Sequence, residues 1–142
     1  MDVNGLLQNK KRCLRRFLEV SERFLAEAEQ GSLSGLGQFD RERESVLKTL
    51  ALIDRQMTEA VRALPLASRT PALSKTVQSS LDEEAFLVES ISKVDNRIVG
   101  CIESEKQRLL RELATSRKSQ EIAGRFKSTW IAEAGEGLDQ KA

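Results

Sequence analysis

The side chains of this chain that could do chemistry are two cysteines, a cluster of carboxylates and a run of cations. There is no histidine. That removes the usual acid–base group near neutral pH and the commonest metal ligand. Cys13 and Cys101 lie far apart, in neither a CxxC pair nor a zinc spacing, and read as small, half-buried hydrophobes in a reducing compartment. Asp82, Glu83 and Glu84 stand together, in what reads as the first turn of a helix, where negative charge suits the helix dipole. Glu103, Glu105 and Lys106 read as surface ion pairs. On a helical wheel Lys11, Arg12, Arg15 and Arg16 fall opposite the apolar stripe of their segment. No aromatic interleaves them, so the run reads as a solvated face rather than a nucleic-acid site. The segment GSLSGLG at 31–37 has no GK[ST] and follows no strand, so it is not a phosphate loop. No acid, base, nucleophile or metal set emerges. The chain reads as a non-enzyme with no cofactor and no metal.

The elements that would hold these residues are helices. Lys plus Arg is 23 against 22 for Asp plus Glu, so no net charge draws the chain to nucleic acid or anionic lipid. Charged residues make up 32% and aromatics 4%, which suits elongated helices better than a round core. No apolar run reaches the length of a membrane span, and no apolar core with a small-residue cleavage site opens the chain. A cytoplasmic protein without membrane insertion is expected.

The first helix is expected at about 3–30, its apolar face interrupted by Lys10 and Ser21. The glycines and serines of 31–37 form the corner of a hairpin. The second helix, about 34–64, carries Leu36, Phe39, Val46, Leu50, Ile53, Met57, Ala60 and Leu64 in a heptad seam spoiled only by Arg43, which reads as snorkelling at a bundle end. Pro65 and Pro71 make 65–79 a non-helical linker. Ser80 and Glu83 have the form of a capping box opening a third helix at about 80–123. Its apolar residues favour an eleven-residue recurrence, as in Leu87, Ile98 and Leu109 or Ile91, Ile102 and Leu113. Residues 132–142 hold little apolar surface and should be disordered. The expected fold is all-α: an elongated antiparallel three-helix arrangement, a helical hairpin plus one long third helix, coiled-coil-like, forming one domain over 1–131.

The third helix outruns the other two. At about 1.5 Å per residue, hairpin helices of roughly 28 residues leave about 20 Å of it without an intramolecular partner. An apolar stripe left open marks an interaction site. The candidate protein-binding residues are therefore Leu109, Leu113, Ile122, Phe126, Trp130 and Ile131.

The same region carries a resemblance. Residues 91–127 resemble the flagellar export chaperones of the FlgN type, whose helix holds an "ie..k..ll.el" segment followed by a basic "kg..a...Y" segment. Ile102, Glu103, Lys106, Leu109, Leu110, Glu112 and Leu113 fit the first, and Arg117, Lys118, Ala123 and Phe126 fit the second. Leu6 and Leu7, and the run Arg41-Glu42-Arg43-Glu44 before Val46-Leu47, fit more loosely. The chain has no tyrosine, so Phe126 keeps the ring of the family's motif without its hydroxyl. The resemblance implies a small cytoplasmic chaperone of type III secretion. Its clients would be helical C-terminal segments of the hook-associated proteins of the hook–filament junction, and it would hand them to export gate components. In the related FliT type the client is the filament cap protein. A structural coiled-coil adaptor or homodimer, with the stripe filled by a copy of itself, is the alternative.

Overall fold

The computed structural model describes the backbone of residues 2–141 and the side chains of residues 2–127. Three helices follow in order: α1, Val3–Glu29; α2, Leu36–Arg62; and α3, Pro71–Lys141. No strand occurs among the described residues. The chain divides into two compact units, Met1–Ile102 and Glu103–Ala142, where the sequence suggested one domain over 1–131.

In the first unit the chain's own signals set the helix ends. Asp2 caps α1, its Oδ1 accepting the Gly5 amide at 2.7 Å. The helix ends where Gly31 takes φ 85°, and the Ser32 amide reaches back to the Glu27 carbonyl at 3.1 Å. Ser34 does not cap α2; its hydroxyl pairs with that of Ser32 at 3.0 Å, and Gly35 stands at the N-cap. A Cβ on Gly35 would lie 3.0 Å from Glu27 Oε2, the far end of an exposed side chain that can turn aside.

α1 is the central element. Its buried residues cover a broad arc, from Leu6 and Leu7 through Leu14, Phe17 and Val20 to Phe24, Leu25 and Ala28. One core cluster joins Val20, Phe24, Leu25 and Ala28 to Phe39 of α2 and Ile98 of α3. Phe24 and Phe39 stack with centroids 4.5 Å apart. A second joins Leu14, Phe17 and Ile91, flanked by Val46, Leu50 and Leu87. The cross-helix pairs Lys11–Glu83 and Glu29–Arg97 show α3 running parallel to α1, while Arg43–Asp95 shows it antiparallel to α2.

Several expectations need correction. Residues 65–79 are not a linker, because α3 starts at Pro71. Thr70 caps it, Oγ1 accepting the Leu73 amide at 3.2 Å, and Pro71 fills the first helical position, where a missing N–H is harmless. Ser80 is therefore mid-helix and buried rather than a cap, and Asp82, Glu83 and Glu84 are not in a first turn. Within the first unit the covered stripe of α3 follows seven residues, not eleven. Leu73, Val77, Ser80, Glu84, Leu87, Ile91, Val94, Ile98 and Cys101 form it, with Ser90, Asp95 and Ile102 half-buried beside it. Two polar residues in that seam hid its start.

Lys11 is buried at 6% exposure, not solvated, and bonds Glu83 at 2.8 Å. Arg43 does not snorkel. Its guanidinium makes a bidentate pair with Asp95 at 2.8 and 3.1 Å and lies over the ring of Phe17, 4.9 Å from the centroid. At the other end, α3 extends to Lys141 through most of the segment that composition marks as disordered.

Candidate functional site

In the second unit the heptad seam of α3 becomes charged. The same four-and-three steps that carry Ile98 and Cys101 go on to Glu105, Arg108 and Glu112. These three pair with one another along the helix, Arg108 donating to both carboxylates. The hydrogen bond from Arg108 holds the Glu105 carboxyl below its usual range, and the same bond raises the guanidinium. The apolar residues lie elsewhere on the helix. Leu109, Leu110 and Leu113 are about half exposed, and Ile122 and Phe126 are more so, at 58% and 71%. Every described side chain over 106–127 is exposed.

The candidate residues do not make one stripe. At 3.6 residues per turn, Leu109 and Leu113 lie about 140° around the helix from Ile122 and Phe126. A single partner helix can cover one pair and not the other. Trp130 and Ile131 lie outside the residues whose side chains are described. Gly124 has open space where a Cβ would be, so no neighbour requires glycine there.

The first unit carries exposed apolar residues that the sequence reading passed over. Leu81 and Val88 of α3 are 46% and 52% exposed, and they precede Asp95 by two heptads and one. Leu47 of α2, one turn after Arg43, is 50% exposed. The Arg43–Asp95 pair shows which flanks these are. The signal was available as a seven-residue recurrence, but two residues per helix are too few to stand out from scattered surface leucines. Where α1 begins, α2 ends and α3 starts, a groove of about 480 Å³ is lined by Val3, Val61, Leu64, Leu73 and Val77, with Arg69 and Gln78 at its edge.

No grouping of acids, cysteines or histidines among the described residues could hold a metal ion. Cys13 and Cys101 are both free and half-buried, and burial pushes the Cys13 thiol up, away from the reactive thiolate. Among the described residues no helix is long and apolar enough to cross a membrane. What this surface offers a partner is a helix face with apolar side chains between charges. Compared with models of known protein families, with curated proteins and with solved structures, the chain matches none.

Proposed function

We propose that the chain is a cytoplasmic export chaperone of the FlgN type, binding helical C-terminal segments of flagellar hook–filament junction proteins and presenting them to the export apparatus. The observation that carries this reading is the open Leu109–Leu113 pair, on a helical segment and within the stretch that resembles the family. An apolar patch on a helix invites a second amphipathic helix, whose anchors at i, i+3, i+4 and i+7 would fill it. The role is binding, not catalysis: Glu83 and Glu84 face Lys11 and Lys10 of α1, and Glu105, Arg108 and Glu112 pair with one another. Phe126, in place of the family's tyrosine, supplies a ring for an apolar contact and no phenol for a gate.

The test is calorimetry of the full chain with a peptide of a junction protein's C-terminal helix. A Leu109→Asp/Leu113→Asp variant should lose binding while its melting temperature stays unchanged. Light scattering reads the competing assignment in the same samples. A self-associated chain that dissociates in this variant and ignores the peptide is a homo-oligomeric scaffold, and that result overturns the proposal.

A further inference from the structure

The seam of α3 is almost degenerate along its length. Apart from Ser80 and Glu84, its positions from Val77 to Ile98 are aliphatic and recur at heptad steps, so but for those two a slip of seven residues lays one aliphatic side chain where another stood. A slip that brings Glu105 to the place of Ile98 is blocked, because it pushes a charge among Val20, Phe24 and Phe39. The opposite slip, which brings Ile91 there, carries Glu84 to the place of Ile91 among Leu14 and Phe17, so its bar is the carboxylate that faces Lys10. The first turns of α3, exposed except at Leu73 and Val77, can unwind to supply the chain it needs.

Two polar layers distinguish the alignments. In one, Lys10 of α1 bonds Asp54 of α2 at 2.8 Å and lies 3.6 Å from Glu84 of α3. In the other, Arg43 of α2 holds Asp95 of α3. The spacing of the layers is the same on both helices, 43 to 54 on α2 and 84 to 95 on α3, so one alignment satisfies both. The slip that brings Ile91 to the place of Ile98 would also put Val77 beside Lys10 and Val88 opposite Arg43, leaving both cations without their α3 carboxylates. A slip of eleven that brought Asp95 to Lys10 would set Lys106 against Arg43.

We infer that the Lys10–Asp54–Glu84 and Arg43–Asp95 layers are a register lock, fixing α3 against α1 and α2 at some expense of stability. The expense shows at Glu84, whose side chain is 9% exposed and whose Oε1 is buried without a hydrogen-bond partner. A buried ion pair is commonly no more stabilising than apolar residues of the same size, and its best-attested use is to specify alignment. The lock has a consequence for any partner. Register decides which residues of α3 are covered by α1 and α2 and which are left open.

The experiment compares three full-length proteins by urea melts and by amide and methyl NMR. In the apolar-layer variant, Lys10→Met, Asp54→Leu, Glu84→Leu, Arg43→Leu and Asp95→Leu are combined. It should melt at equal or higher urea than the parent and show either several sets of amide resonances or one set with new contacts, such as Ile91 against Phe24. The charge-exchanged variant, Arg43→Asp with Asp95→Arg, keeps opposite charges in its layer and should show one set, with Phe17 and Ile91, and Phe24 and Ile98, in the parent's clusters. The inference is overturned if the apolar-layer variant shows one set with the parent's contacts, or if it melts earlier or fails to fold, since the layers would then be holding the fold itself.

Discussion

Two stretches of one helix, 73–102 and 103–127, share helical spacing and differ in what covers them. In the first, the seam positions are aliphatic but for Ser80 and Glu84, and α1 lies against them. In the second, the same positions become Glu105, Arg108 and Glu112, and the side chains over 106–127 are exposed. Periodicity in the sequence reports that a helix has an apolar side. Whether that side is core or open surface depends on which residues occupy the positions in register with the core. Leu109 and Leu113 keep the eleven-residue step from Ile98 and Ile102 but leave the seven-residue seam.

The largest effect that separates the stretches is a core truncation. Phe24→Ala, at 4% exposure and stacked on Phe39, should cost about 3–5 kcal/mol in urea melts, whereas Leu113→Ala should change stability by no more than about 0.5 kcal/mol. A large loss at Leu113 would show that its side is covered. Next comes Leu50→Ala. The residue is half-buried, so it should cost less than the roughly 2–5 kcal/mol of a fully buried leucine, and more than the Leu113 change.

Acid titration sharpens the comparison further. The hydrogen bond from Lys11 holds the Glu83 carboxyl below its ordinary 4.5, so its stabilisation is complete above that value and fades as the pH falls through the lowered one. Lys11→Met should therefore flatten the acid limb of the stability curve, a slope read by urea melts from pH 6 down to about 2. At Lys10, burial pulls the ammonium down but the hydrogen bond and charge of Asp54, with the charge of Glu84, outweigh it. Its raised value keeps its contribution intact below the ordinary 10.5, and the contribution is lost as pH rises through the raised one. The smallest effect is expected within the second unit: Arg108→Gln should leave the urea midpoint unchanged and only reduce helical circular dichroism slightly.

The three helices were legible, because unbroken three-and-four spacing requires a partnered face. Most of the α2 seam stands as the sequence suggests: Phe39 and Ile53 are buried and Val46, Leu50, Met57, Ala60 and Leu64 half-buried, while Leu36 at its start is exposed. Three features were not legible, each for a physical reason. Pro71 reads as a breaker unless the Thr70 cap beside it is seen. Ser80 and Glu84 read as surface because a buried carboxylate needs a cation that sequence spacing does not reveal, here Lys10. Lys11 lies at the edge of the α1 arc, and only the arrival of α3 on that side buries it. Of the candidate site, Leu109, Leu113, Ile122 and Phe126 are exposed as the sequence suggests; their division between two faces follows from the nine-residue step from Leu113 to Ile122 and is not part of that reading.

The central claim is that the stretch after the core seam is a helix whose open apolar face receives a client helix. Hydrogen exchange of the full chain, with and without the junction-protein peptide, tests it most directly. Alone, amides of α1 and of 84–102 should exchange only through global unfolding, and those of 106–127 far faster. With the peptide, protection should rise across 106–116 and leave α2 unchanged. Protection that appears along 43–61 and 81–95 instead, or none anywhere at saturating peptide, would contradict it.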